Sequence, residues 1–85
     1  MSWSSRADRV DHSAPKRLWE QVADDIRADI RSGDLPPGTR LPAEVDLAEI
    51  YGVARVTIRR AVLELRGEGL LIVIQGRGTF VPQKP

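Results

Sequence analysis

A chain of 85 residues, 41% hydrophobic and 29% charged with a formal net charge of +1, is long enough for one small domain with a single modest core. No apolar run reaches the roughly 18 residues of a membrane span, and the opening "MSWSSRADRVDHSAPK" lacks the apolar stretch of a secretory signal. The absence of cysteine excludes disulfides and thiolate metal sites. The expectation is a cytoplasmic protein without a membrane partner.

The near-neutral total conceals a division by position. Residues 1–54 hold seven basic and ten acidic side chains, hence −3, whereas residues 55–85 hold six basic and two acidic, hence +4. The positive field begins at Arg55.

Residues 1–15 mix Ser, Asp and Arg without a sustained period and read as a flexible N-terminal arm. The domain proper is expected over 16–82, with 83–85 as a tail or the start of a linker. A first helix is expected from about Pro15 to Ser32. The fixed φ of Pro15 suits a first turn, and Leu18, Val22, Ile26 and Ile30 recur at spacing four beside Trp19 and Ala23. Gly33 closes it, and "DLPPGTRLP" cannot continue a helix, so an ordered turn follows. After Pro42, "AEVDLAEIYG" reads as a short helix ending on Gly52.

The three residues of "GVA" leave room only for a tight turn. A third helix is therefore expected to start near Arg55, with Ile58, Ala61, Val62 and Leu65 on one face and Gly69 past its end. The apolar run Leu70–Ile74, then "QGRG", then "TFV" has the form of a β-hairpin. The fold class is mainly α with a small β-hairpin: a winged helix-turn-helix of three helices and a two-stranded wing.

The second helix of such a unit can lie in a DNA major groove. Arg55 and Arg59, four apart, share one face, and the apolar residues take the opposite one. An arginine fork donates two hydrogen bonds to guanine O6 and N7, which is worth ~1–3 kcal/mol of base discrimination. Arg55 at the tip has the best reach. Arg59 reads a flanking base or grips a phosphate, while Arg60, about 100° around the helix, meets the backbone. Thr57 offers a hydroxyl to phosphate, and Val56 lies among these contacts. A bland reading of the arginines is a solvated face with an Arg60–Glu64 salt link. In the hairpin, Gln75, Gly76 and Arg77 form a slim turn with one cation, suited to the negative potential of a narrow minor groove.

The order of "SGDLPPGTRLPAE", "LAEIYGV", "TIRRAVLELRGEGL" and "QGRGTFV" resembles the N-terminal DNA-binding domain of GntR-type transcription regulators, particularly their HutC-like branch, over Leu18 to Val81. The resemblance implies that Arg55 is the base-reading arginine, Arg59 a second DNA contact, Thr57 a phosphate contact and Gly76 the wing residue entering the minor groove. It also implies a repressor-type regulator bound to a near-palindromic double-stranded operator as a dimer.

Such regulators carry a larger C-terminal domain that senses an effector and dimerises, whereas this chain stops at "VPQKP". Alone it is expected to be monomeric or weakly associated, and to bind one half-site with strong salt dependence. The chain departs from the family pattern at Ala43 (usually serine), Val45 (often a DNA-contacting arginine), Ala54 (usually a capping serine or threonine) and Val56 (commonly polar). Val73 and Ile74 replace residues that are often basic, and with Leu63 these changes make the DNA side more apolar. The alternative function is therefore a winged-helix module that binds protein through this apolar surface.

No enzyme, cofactor or metal is expected. The single histidine, His12, lies in the expected arm, and Glu44, Asp46 and Glu49 are accounted for by the dipole of the second helix.

Overall fold

The computed structural model describes residues 3–83. Residues 1–2 of the expected arm and 84–85 of the expected tail lie outside the described residues. Helices α1 (Leu18–Ser32), α2 (Glu44–Tyr51) and α3 (Arg55–Gly67) precede an antiparallel hairpin of β1 (Ile72–Ile74) and β2 (Gly78–Phe80). This is the three-helix, two-stranded winged helix that the sequence periods imply.

The spacing that defines each helix also sets which face it buries. Val22, Ala23 and Ile26 of α1, Leu47, Ala48 and Tyr51 of α2, and Ile58, Ala61 and Leu65 of α3 are buried, and α1 and α2 both pack on α3. Leu35 and Leu41 from the connector, with Leu71 and Val81 flanking the hairpin, complete this core. Each Val, Leu or Ile among them stabilises the fold by roughly 1.5–3 kcal/mol when fully buried. Gly33 and Gly52, at the ends of α1 and α2, take left-handed φ values of 89° and 67°, as the two helix-to-turn transitions require.

Helix α1 starts at Leu18, three residues after Pro15. The Gln21 side chain explains the shift: it accepts from the Asp11 N–H and donates to the carbonyls of Asp11 and Lys16. The backbone groups of Asp11 and the Lys16 carbonyl are thereby satisfied in a turn instead of in a longer helix. The connector contributes more than a turn. Arg40 bridges Phe80, the Leu41 N–H donates to Thr79 O and the Val81 N–H to Thr39 O, each at 2.8 Å. Residues 39–41 therefore run along the free edge of β2 and tie the wing to the start of α2.

The N-terminal segment corrects the expectation of a flexible arm. Residues 7–9 form a short 3-10 turn, Val10 enters the core, and the Arg6 N–H donates to Ile50 O at 2.7 Å. The Arg6 guanidinium, with only 8% of its side chain exposed, inserts between α1 and α2. Its Nη1 donates to Asp25 Oδ2 at 2.8 Å and to Tyr51 Oη at 3.0 Å, and lies 2.7 Å from Asp29 Oδ2. Tyr51 in turn donates to Asp25 at 2.6 Å, and the Trp3 ring lies 4.4 Å from the Arg6 guanidinium. Composition predicted mobility because one arginine among serines shows no period; its partners are carboxylates on a helix far along the chain.

Burial opposes the charge on Arg6, but its Tyr51 hydrogen bond and the Asp29 carboxylate more than offset this and raise its pKa. Burial and the neighbouring Asp25 likewise raise the Tyr51 phenol, which stays a neutral donor. Removing one side of a buried ion pair leaves the other desolvated, at a cost of about 3–5 kcal/mol. Arg6→Ala is therefore expected to lower the unfolding free energy in urea titrations by about 3 kcal/mol. A loss within the ~0.5 kcal/mol of an ordinary surface change would show that the segment does not brace the helices.

Candidate nucleic-acid interface

The short turn between α2 and α3 sets the geometry of the exposed surface. Ala54, extended at φ −70° and ψ 153°, precedes α3 and supplies no side-chain cap. The first-turn N–H groups of α3, the positive end of its dipole, therefore have no cap from Ala54. Because Ile58, Ala61 and Leu65 point inward, Arg55 and Arg59 stand on the outer face of the same helix, and both are exposed.

The two arginines converge on Glu44, the first residue of α2. Arg59 Nε lies 3.0 Å from Oε2 and its Nη2 2.8 Å from Oε1, a two-pronged grip. Arg55 Nε adds a contact to Oε1 at 3.2 Å. The Arg59 hydrogen bond, supported by Arg55, holds the Glu44 carboxyl below its ordinary pKa against a smaller opposing effect of burial, and Glu44 raises Arg59 in turn. A carboxylate depressed in this way is fully ionised at neutral pH. The pairing is lost only as pH falls through the depressed value. An exposed pair adds little to stability because solvent screens it, so its consequence is orientation. Arg59 Nη1 and both Nη atoms of Arg55 make no hydrogen bond among the described residues and remain free to donate.

By sequence alone Glu44 reads as a dipole-favoured acid; its sharing between two arginines is a tertiary relation that no spacing along one helix reveals. Arg60 stands apart from this cluster, as its angular offset requires. Its guanidinium lies 4.7 Å from the centre of the Trp19 ring on α1, and no Arg60–Glu64 ion pair forms among the described residues. Trp19 therefore has a second role besides flanking the apolar stripe. Thr57 is half-buried in the first turn, and Val56 is 65% exposed beside Arg55.

Gln75, Gly76 and Arg77 form the hairpin turn and are all exposed, closed by the Arg77 N–H donating to Ile74 O at 2.9 Å. Gly76 has φ +79°, a conformation that L side chains rarely adopt. Between α3 and the wing lies an open cleft of about 360 Å³ lined by residues of α2, α3, the connector and the hairpin, Arg59 among them. The apolar departures Val45, Val56, Leu63, Val73 and Ile74, together with Ile72, are exposed. Among the described residues no group of three or more His, Cys, Asp or Glu could hold a metal, and no helix is long and apolar enough to cross a membrane.

Comparison with known proteins converges on one family. Residues 18–81 match the model of the bacterial regulatory proteins of the gntR family. The chain is 45% identical over 71 residues to the histidine utilization repressor of Klebsiella aerogenes, covering 84% of this chain and 30% of the relative. It is 38% identical over 72 residues to the transcriptional repressor NagR of Bacillus subtilis, again covering 30% of the relative. The chain thus spans about 30% of the length of these curated relatives. Among solved structures, YtrA of Sulfolobus acidocaldarius, a GntR-family transcription factor, superimposes with a TM-score of 0.81 at 32% identity, over 89% of this chain and 80% of that one. The AraR DNA-binding domain in complex with operator ORX1 does so at 0.74 and 36% identity, over 85% and 93%. The chain belongs to the GntR family of bacterial regulatory proteins, with the HutC-type histidine utilization repressors among its relatives and the winged helix of the family's DNA-binding domains as its fold.

Proposed function

We propose that this chain is the sequence-specific double-stranded DNA-binding unit of a transcription regulator, without enzymatic activity. In this reading α3 enters the major groove from Arg55 and the turn Gln75–Arg77 enters the adjacent minor groove. The observation that carries the reading is the pair of exposed arginines on the leading face of α3, held by one carboxylate. An arginine tethered through Nε keeps its outer N–H groups directed away from the tether, the arrangement a bidentate contact to guanine O6 and N7 needs. The operator complex of the similar AraR domain supports the same class of ligand.

In the proposed division of labour, Arg55 reads a base and Arg59 a flanking base or phosphate. Thr57 and Arg60 meet the backbone, Arg60 with its direction set by Trp19. Val56 lies against base edges, and Gln75, Gly76 and Arg77 occupy the minor groove. In this reading the protein is a cytoplasmic repressor, and two chains on a near-palindromic operator place two such units one helical turn, or a multiple of it, apart.

The second reading, a protein-docking winged helix, is favoured by the exposure of Val56, Leu63 and the three residues of β1. Against it, the cleft that holds Leu63 and Val73 is also lined by Arg40, Arg59 and Arg66, so this exposed surface is not a purely apolar field.

Arg55→Ala is expected to weaken binding to a duplex selected from a randomised pool by ~1–3 kcal/mol and to relax the preference at one base pair. Fluorescence anisotropy on single-base variants of the duplex measures both, and unchanged affinity and preference would count against the reading. Glu44→Gln separates positioning from charge. It adds positive charge locally, so binding to a scrambled duplex should strengthen, yet the ratio of selected to scrambled affinity should fall by about tenfold, ~1.4 kcal/mol. A rise in both affinities with the ratio intact would reduce Glu44 to a bystander charge.

A further inference from the structure

The cleft between α3 and the wing holds two arginines that none of the contacts above uses. Arg66 lies seven residues beyond Arg59, so it projects within about 20° of the same direction, two turns further along α3. Arg40, at the bridge to β2, lies across Gly78: a Cβ built on that glycine would stand 3.1 Å from Arg40 Nε. The missing side chain at Gly78 is therefore the seat on which the Arg40 guanidinium rests. Both arginines line the cleft, and neither has a carboxylate partner among the described residues. Thr79, with its hydroxyl, and Leu63 and Val73 share the lining.

We infer that this cleft is a phosphodiester-binding site in which Arg40 and Arg66 grip the DNA strand that passes between α3 and the wing. The inference rests on the groove assignment proposed above. The major and minor grooves of a duplex are separated by a sugar-phosphate backbone. A helix tip in one groove and a hairpin turn in the next must therefore have one backbone lying across the gap between them. In this protein that gap is the cleft, with cations on the connector side and the α3 side. The apolar Leu63 and Val73 face the deoxyribose, which gives these two exposed hydrophobic side chains a ligand surface without a second protein.

The test uses the 85-residue chain and a duplex of about two helical turns that it selects from a randomised pool, titrated between about 50 and 200 mM salt. Arg40→Ala and Arg66→Ala are each expected to shallow the slope of log K against log salt by about 0.9 per bound chain, so that affinity falls about threefold less across that range than for wild type. Their preference for the selected over a scrambled duplex stays unchanged, and Arg40→Lys keeps the wild-type slope because a phosphate accepts a point charge. Arg31→Ala, in the separate cleft beside Leu35 and Pro82, controls for charge at a distance and should leave the slope intact.

A neutral methylphosphonate, moved one position at a time along the duplex, should weaken wild type at a phosphate to which the Arg40→Ala, Arg66→Ala double variant is indifferent. If both alanine variants keep the wild-type slope and the wild-type methylphosphonate pattern, the inference is wrong while DNA binding stands. If wild type binds no duplex, or binds without salt dependence, the DNA reading itself fails. All the substituted side chains are exposed, and unchanged thermal midpoints verify that folding is intact.

Discussion

Burial of Ile58, Ala61 and Leu65 fixes the rotation of α3 about its own axis, and the character of the exposed surface follows from that rotation. With those three positions in the core at essentially zero exposure, the 3.6-residue repeat leaves Arg55, Arg59 and Arg66 no direction but outward. A slip of one residue would turn the basic row by about 100° and bury charge at a cost no exposed ion pair could repay. The same core therefore specifies both the stability of the domain and the direction of its cations. Glu44 then refines what the core has set by joining two of these side chains into one unit across the α2–α3 turn.

Bracing of this surface comes from opposite ends of the chain. The connector strand at residues 39–41 hydrogen-bonds β2 and leads directly into α2, so the wing and the helix carrying Glu44 are coupled through a few residues of extended backbone. On the far side, Arg6 links α1 to the last residue of α2 through Asp25, Asp29 and Tyr51. A helix of eight residues such as α2 has little stability of its own. Its position, and with it the position of the Glu44 carboxylate, depends on these tertiary ties.

What could be read from the sequence divides along a physical line. Features encoded by short-range periodicity were legible: the three helices, the hairpin, the inward row of α3 and hence the outward placing of Arg55 and Arg59. The glycine at the end of each of the first two helices was legible for the same reason, since a left-handed residue is a local requirement. Relations between side chains far apart in sequence were not. Arg6 reads as part of a flexible arm because its partners lie 19 to 45 residues away, and Glu44 as a dipole acid because its arginines sit on another helix. The seating of Arg60 on Trp19 and of Arg40 on Gly78 is of the same kind. One signal was available in principle: Asp25 and Asp29, four apart on α1, form a like-charge pair that asks for a buried cation.

The central claim is that a carboxylate-held arginine pair presents its free donors to guanine edges in a major groove. Methylation interference tests it directly, because a methyl on guanine N7 removes the acceptor that such a donor needs. The account predicts that methylation at one or two guanines in each half-site abolishes binding of the wild-type chain, and that one of these positions ceases to matter for Arg55→Ala. Binding that is indifferent to N7 methylation at every guanine, or an interference pattern identical in Arg55→Ala and wild type, would contradict it.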